Sequence, residues 1–346
     1  MGSKSRYWLV LAMLACATAR AQELQTSAEI PREILSNDRA SVEFTKDIGG
    51  RILSYHLAGR DNVLLLSEAV KHEVMPRHDV DAPFIQYNGA IVWLGPQSDW
   101  WKYQTLNLVR RLLAPEWPPD PYLIYADNAL THNSGTSVSL RGIDSPVSGV
   151  RVDKDIALQP DGSLYLRANM TNVSDSPVNW DLWFLARVSP DARVYVPSAD
   201  PDTMRIQDFQ PELYDRPAYS FVDGLLSLAP KDVAADRAGR QGKFMLGVRQ
   251  PWIASFYAGQ LLLISFEKVP PAYIHPRQAP VELYVNQDRN FPAIGVIELE
   301  THSALRELYP GETFSAWQHW YLFDYSGSDD EAEQIAFLRS VLGDGF

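Results

Sequence analysis

Cysteine is almost absent from this chain, whose 346 residues include a single one, Cys16. Because Cys16 lies in a segment that reads as a removable leader, no disulfide and no thiol chemistry are expected in the mature protein. Basic residues are also in deficit. The chain has 31 Lys and Arg against 43 Asp and Glu, a formal charge of −12, and its basic residues form no stripe. Nucleic acid is therefore not an expected partner, since binding to phosphates depends on clustered Lys and Arg.

Long apolar runs and the motifs of common cofactor sites are missing as well. No stretch beyond the leader is long and apolar enough for a membrane-spanning helix, so an integral membrane protein is not expected. There is no P-loop, G-x-G-x-x-G, H-E-x-x-H or G-x-S-x-G motif, and no cofactor is expected. One group has the chemistry of metal ligands: His72, His78, Asp79 and Asp81. Its neighbours Pro76 and Pro83 favour a solvated loop, and we predict no metal site.

The N-terminus has the organisation of a secretory signal peptide. Lys4 and Arg6 supply positive charge, residues 7–17 are apolar but too short to span a bilayer, and Ala19-Arg20-Ala21 is a small-x-small cleavage pattern. These features predict a signal peptide over residues 1–21 and export to the periplasm or the extracellular space. A lipid anchor on Cys16 is the competing interpretation, which a poor match to the usual lipoprotein box makes less favoured.

Residues 22–346 have the pattern of a β protein. In Ser163–Thr171, apolar and polar side chains alternate, as in a strand with one buried face. The turn signal Gln159-Pro160-Asp161-Gly162 precedes this strand and predicts a hairpin with Val150–Leu158. Further strands are predicted at Val178–Val188, Lys243–Val248, Leu261–Phe266, Val281–Val285, Ile294–Thr301 and Thr313–Tyr325.

Helical signals are rare and are clearest at the C-terminus. Ser328 is a candidate N-cap, acidic residues follow it, and Ile335 and Leu338 belong to an apolar stripe. No repeat or break in composition divides the chain. The sequence therefore predicts an all-β fold in a single domain over residues 22–346. The expected architecture is a large antiparallel β-sandwich with few helices and a C-terminal helix.

Two of the predicted strands near the C-terminus combine an apolar face with a polar one. Alternation places six polar side chains on the polar faces of these two strands: Glu282, Tyr284, Asn286, Glu298, Glu300 and His302. Carboxylates and amides can serve pairs of adjacent hydroxyls, so such a stripe suits a sugar. From periodicity alone, the solvent face of an ordinary antiparallel sheet is the favoured interpretation.

Tryptophan, of which the chain has 10, shifts that balance toward a sugar site. Trp93, Trp100 and Trp101 lie close to Gln97 in the sequence, and others occur at Trp117, Trp180, Trp183, Trp317 and Trp320. Aromatic ring faces bind the C–H faces of pyranoses, and ligand sites combine such rings with a few polar groups. Most of these residues are expected in the core, with two or three at any site.

Short motifs in a consistent order resemble the galactose-mutarotase-like superfamily. They are Gly49-Gly50-Arg51-Ile52-Leu53-Ser54, the segment from Asn172 to Asn179, Leu299-Glu300-Thr301-His302, and Leu308-Tyr309-Pro310-Gly311-Glu312 with Trp317 or Trp320 following. The runs G-G-R-I, W-L-G-P-Q, V-E-L-Y-V-N and I-E-L-E look more closely like an uncharacterised bacterial branch, a domain of unknown function. The resemblance implies a β-supersandwich with a carbohydrate site in a cleft on one face.

In the aldose 1-epimerases of that superfamily, the glutamate at the position of Glu300 is the general base, and a histidine protonates the ring oxygen. This chain has Trp183 where that histidine is expected, and indole cannot deliver the proton. The asparagine–arginine pair and the other histidine of the first half have no convincing counterpart around Asn88-Gly89-Ala90 and Trp93–Gln97. The resemblance thus implies a retained scaffold and glutamate without the acid.

The sequence therefore predicts a carbohydrate-binding protein without mutarotase turnover. One alternative is an epimerase-like enzyme that uses Glu300 as base with His302, Lys243 or Asp181 as acid. Another is a structural envelope protein on an inherited sugar-binding scaffold. The predicted site comprises Glu300 as the catalytic candidate and, as ligand-binding residues, Trp93, Gln97, Trp100, Asp181, Trp183, Lys243, Glu282, Tyr284, Asn286, Glu298 and His302.

Overall fold

The computed structural model describes residues 30–72, 76–198, 201–230, 233–234 and 236–343. The predicted signal peptide, with Cys16, lies outside these ranges. Two large β-sheets pack against each other around one extended apolar core. Among the helices of the described ranges, none combines the length and the apolar character that crossing a membrane requires.

The strands run in chain order as follows. They are β1 (Glu33–Ser36), β2 (Ala40–Thr45), β3 (Arg51–Leu57), β4 (Ala90–Gly95), β5 (Ala129–Asn133), β6 (Ser137–Arg141), β7 (Val150–Leu158), β8 (Leu164–Asn172), β9 (Val178–Val188), β10 (Arg193–Pro197), β11 (Arg205–Asp208), β12 (Tyr214–Asp215), β13 (Tyr219–Val222), β14 (Leu225–Leu228), β15 (Gly239–Leu246), β16 (Trp252–Tyr257), β17 (Gln260–Phe266), β18 (Val281–Asp288), β19 (Val296–His302), β20 (Arg306–Leu308) and β21 (Thr313–Asp324). The helices are α1 (Glu68–Lys71), α2 (Leu108–Leu113), α3 (Pro121–Tyr125) and α4 (Glu331–Leu342).

The first sheet has the order β1-β2-β3-β4-β9-β19-β18-β15-β11, with β12 beside β15 and β20 beside β9. The second has the order β13-β14-β10-β16-β17-β21-β8-β7-β6-β5. Neighbouring strands are antiparallel throughout, apart from the short parallel pair of β12 with β15. The all-β prediction and its antiparallel sandwich are thereby confirmed.

Alternation along the strands explains how the two sheets share a core. In the hairpin of β7 and β8, buried and partly exposed residues alternate, and the buried ones are apolar except for Lys154 and Asn172. The register of this hairpin pairs Leu158 with Leu164, as the turn signal predicts. The strand β9 differs, because from Trp180 onward every residue is buried. Both faces of the first sheet are therefore covered at its centre.

Some boundaries differ from the sequence prediction. Asp330 caps α4, since its carboxylate accepts from the backbone N–H groups of Ala332 and Glu333 at the first turn. Ser328, the predicted cap, lies too early and instead donates to the Glu333 carboxylate. β15 begins four residues before the predicted Lys243. Ile294 belongs to a 3₁₀ turn, and β19 starts at Val296.

Candidate functional site

Five adjacent strands of the first sheet, β4, β9, β19, β18 and β15, direct alternate side chains to the face away from the second sheet. Register brings Glu300 beside Glu282, and His302 beside Trp183. The intervening residues face the core, where Gln318 of the second sheet donates to Thr301. This outer surface, the site face, carries most of the predicted site: Trp93, Asp181, Trp183, Lys243, Glu282, Tyr284, Asn286, Glu298, Glu300 and His302.

Lys243 is the electrostatic centre of the site face. Its ammonium lies 2.6 Å from Glu282 Oε2 and 2.9 Å from Glu300 Oε2, so one cation serves two carboxylates. It also lies 4.7 Å from the centre of the Trp183 ring, a cation–π distance. Both carboxylates are buried, and burying a charge is costly unless it is paired. Lys243 therefore holds the two glutamates together in the folded state.

A second charged group, His302, extends this cluster toward Asp181. His302 Nδ1 lies 3.0 Å from Asp181 Oδ1, and its Nε2 lies 3.7 Å from Glu282 Oε1. Burial alone would lower the pKa of His302, but the two carboxylates outweigh burial and raise this pKa to about 9. The imidazole is accordingly protonated at neutral pH.

The two glutamates beside Lys243 differ in their tendency to ionise. Burial raises the pKa of Glu300, which is fully enclosed and also faces the negative charge of Glu282. Burial also penalises the charged form of Glu282, but Lys243 and His302 outweigh it and lower the pKa of Glu282. Glu282 is thus the permanent anion of the cluster, while Glu300 is the group that can exchange a proton near neutral pH.

Several buried polar atoms of the site face have no hydrogen-bond partner. They include Glu300 Oε1 and the indole Nε1 atoms of Trp93 and Trp183. Buried polar atoms are normally satisfied, and an orphan costs about 1–3 kcal/mol in stability. Two donors and an acceptor thus remain open for a polar ligand around the same cluster.

Residues 96–118, called the cover segment below, pack on the site face through their tryptophans. Trp100 stacks on Trp183 with ring centres 5.9 Å apart, and Trp117 contacts both Trp93 and Trp100 edge-on or tilted. Glu300, whose carboxylate lies against Lys243, is 0% exposed. The aromatic side chains of the cover segment thus pack over Trp93 and Trp183, at one end of the charged cluster.

The remaining predicted residues lie at the margins. Gln97 belongs to the cover segment and donates to the backbone carbonyl of Glu116. Tyr284 Oη and Asn286 Oδ1 both accept from Gln241 on β15. Glu298 forms a 2.6 Å ion pair with the Nε of buried Arg187, whose guanidinium lies 5.1 Å from the Trp93 ring centre. These side chains frame the central cluster without contacting the carboxylate of Glu300.

Arg187, Gln241 and Gln278 were not identified from the sequence. Arg187 had a usable signal, since it shares the alternation of Asp181 and Trp183 along β9. Gln278 lies in a loop before β18, and its Nε2 lies 3.4 Å from His302 Nε2. No periodicity points to a loop residue, so only the folded structure places it here.

Three side chains of the cluster have the chemistry of metal ligands. Glu282, Glu300 and His302 each place one potential ligand atom within 4.8 Å of the others. The Lys243 ammonium already binds both carboxylates, so their negative charge is compensated without a metal ion. This cluster is not the group of possible metal ligands noted in the sequence. In that group, His72 pairs with Glu68 and Asp79 pairs with Arg77, in exposed positions.

The protonated His302 makes stability depend on pH in a defined direction. Its folded-state pKa of about 9 exceeds the usual value of 6.5, so the stabilisation is complete below pH 6.5 and is lost as pH rises through 9. We expect a loss of up to about 3 kcal/mol in the free energy of unfolding over this interval.

Urea unfolding at several pH values measures this loss in the wild type, in His302→Gln and in His132→Gln, a control at an exposed histidine. His302→Gln should flatten the profile between pH 6.5 and 9. An unchanged slope in that variant would refute the assignment.

Comparison with known proteins identifies the fold but not a function. A sequence model described as Domain of unknown function (DUF4380) matches residues 30–323. None of the curated proteins matches the chain in sequence.

Solved structures give closer guidance on architecture. The Slr1438 protein from Synechocystis sp. PCC 6803 is 13% identical with a TM-score of 0.55, over 87% of this chain and 98% of that one. A candidate aldose 1-epimerase from Escherichia coli K12 is 12% identical with a TM-score of 0.52, over 85% and 99%. A galactose mutarotase-like protein from Lactobacillus casei ATCC 334 is 10% identical with a TM-score of 0.50, over 85% and 100%. At such identities the likeness concerns the fold, and it confirms the resemblance predicted from the sequence.

Proposed function

The chain belongs to the DUF4380 family of unknown function, and from that membership and its galactose-mutarotase-like fold we propose an exported carbohydrate-binding protein that does not turn its ligand over. The proposal depends most on one observation: the buried Lys243–Glu282–Glu300 cluster lies beside the unpartnered atoms Glu300 Oε1 and Trp183 Nε1. A sugar hydroxyl can donate to the carboxylate oxygen and accept from the indole.

The chemistry of the surrounding residues supports a sugar over other small ligands. With Trp100 displaced, Trp183 and Trp93 would offer ring faces to C–H groups, while the carboxylates of Glu282 and Glu300 offer acceptors. A sugar combines both kinds of surface in one molecule. Entry requires the cover segment to move, since Glu300 is enclosed. The hydrogen bonds gained by the orphan atoms would offset part of that cost.

The position of Lys243 supports binding without turnover. An aldose 1-epimerase needs an acid and a base on opposite sides of one sugar ring, each within hydrogen-bond reach of its proton. Here the candidate acid Lys243 donates directly to the candidate base Glu300 at 2.9 Å. His302 is likewise held by Asp181 and Glu282 within the same cluster. Turnover by Glu300 with either group would require breaking these pairs to admit a ring between them.

A panel of mono- and oligosaccharides tests the proposal when titrated against tryptophan fluorescence. We expect at least one sugar to change the emission saturably, because Trp183 and Trp100 lie where the ring would stack. In parallel polarimetry, the anomers of that sugar should interconvert at their spontaneous rate. Acceleration by the protein would establish the epimerase alternative. No response to any sugar from the folded protein would favour the structural envelope role.

A further inference from the structure

The cover segment presents an unusual outer surface. Its helix α2 buries none of its residues, and its side chains Leu112 and Leu113 are 85% and 73% exposed. Leu106, Leu108, Val109 and Trp117 add to the same exposed apolar set. Isolated exposed apolar residues are ordinary, but a contiguous group of this kind marks an interaction surface.

The helix is held with its apolar side outward by specific contacts. One side of the helix carries two apolar pairs spaced four residues apart, Leu108 with Leu112 and Val109 with Leu113. On the other side, the guanidinium of Arg110 donates to the Val80 carbonyl at 2.6 Å and lies 4.4 Å from the Trp101 ring centre. A globular surface helix has the opposite arrangement, with its apolar stripe on the protein.

The charge of this region is opposite to that of the whole chain. Residues 106–117 contain Arg110, Arg111 and one acidic residue, Glu116, whose carboxylate pairs with Arg277, although the chain carries −12 overall. Lys102 pairs with Asp99 and Arg110 is held by Trp101, while Arg111 is exposed beside the leucines. Apolar side chains flanked by cations are the pattern of helices that lie in the interface of an anionic bilayer.

We propose that residues 106–117 dock on an anionic lipid surface. The exposed leucines and Trp117 enter the boundary between headgroups and acyl chains, and Arg111 meets the lipid phosphates. The face is formed by a single six-residue helix with no buried residue, and an apolar face of this size suits a bilayer interface better than a protein partner. Docking brings the cover segment, and the site face beneath it, to the lipid surface.

Sedimentation with vesicles tests the docking without any sugar, so its outcome is independent of the proposed function. Residues 22–346 are mixed with vesicles of phosphatidylglycerol and phosphatidylcholine, or of phosphatidylcholine alone. We expect stronger partition to the anionic vesicles, reduced on the order of 10-fold or more by Leu112→Glu combined with Leu113→Glu. Leu213→Glu, at an exposed leucine elsewhere, is the matched control and should leave partition unchanged.

Arg111→Glu should weaken binding to the anionic vesicles more than to neutral ones, since it reverses a charge at the surface. All these positions are exposed, so thermal unfolding should be nearly unchanged in each variant. The proposal is overturned if the wild type sediments with neither vesicle, or if the double variant sediments as well as the wild type. It is equally overturned if sedimentation velocity shows wild-type dimers that the double variant abolishes, which would make this face an interface between copies.

Discussion

Lys243→Met will destabilise the protein by about 3–5 kcal/mol, the cost typical of removing one partner from a buried ion pair. The substitution removes the cation that lies 2.6 Å from Glu282 and 2.9 Å from Glu300. Two buried carboxylates would then face each other with no ammonium between them, and at least one must take up a proton. Urea unfolding at neutral pH measures the loss.

The matched control for this change is Lys102→Met. Lys102 also forms an ion pair, with Asp99 at 2.9 Å, but its side chain is exposed, and such pairs contribute at most about 1 kcal/mol. Adding Glu300→Gln to Lys243→Met should recover part of the stability, because one of the two opposed charges is removed. A loss below about 1 kcal/mol for Lys243→Met would contradict the central role given to Lys243.

Glu300→Gln will weaken binding of the sugar identified by titration by about 1.5–3 kcal/mol, the contribution of a hydrogen bond to a charged group. The side chain keeps its shape, but the unpartnered Oε1 can no longer be a carboxylate acceptor. The fold should persist, since Lys243 retains its 2.6 Å partner Glu282. Fluorescence titration of wild type and variant gives the two dissociation constants.

Glu307→Gln is the control for this measurement, because Glu307 is exposed on β20 and away from the cluster. Its dissociation constant should equal that of the wild type. Equal affinity of wild type and Glu300→Gln would remove Glu300 from the site. If polarimetry instead shows catalysis by the wild type, Glu300→Gln should lower the rate by at least about 10²-fold, the low end for a positioned base.

Local patterns in the sequence were sufficient for much of the fold. The hairpin of β7 and β8 follows from two-residue alternation and a proline–glycine turn, both of which act over a few residues. The bounds of β9, Val178–Val188, match the prediction, and the structure-breaking prolines Pro177 and Pro190 flank the strand in the sequence. The polar faces of β18 and β19 were also predicted from alternation alone.

The environment of those polar faces could not be predicted in the same way. Periodicity favoured solvent, but Glu282, Glu300 and His302 on these faces are buried, while Tyr284 and Glu298 are only partly so. The cover depends on contacts between residues far apart in the sequence, such as Trp100 with Trp183. The helix α2 of the cover segment and the helix α3 just after it were also missed, although Asn107 and Asp120 cap them and Pro121 suits a first turn.

The arrangement of the central cluster could not be predicted from the sequence either. Lys243 was considered as a substitute acid, but its place between two glutamates depends on the order β15-β18-β19, which no local pattern reveals. Gln278 approaches His302 from a loop for the same reason. Sequence reasoning therefore identified the residue types of the site better than their arrangement.

The most direct test is a crystal structure of the protein bound to the sugar that titration identifies. We predict the ring on the site face, stacked on Trp183 and within hydrogen-bond distance of Glu300 Oε1, with Trp100 displaced from its 5.9 Å stack. A sugar bound elsewhere on the surface, with the Lys243 cluster still enclosed by the cover segment, would contradict the account.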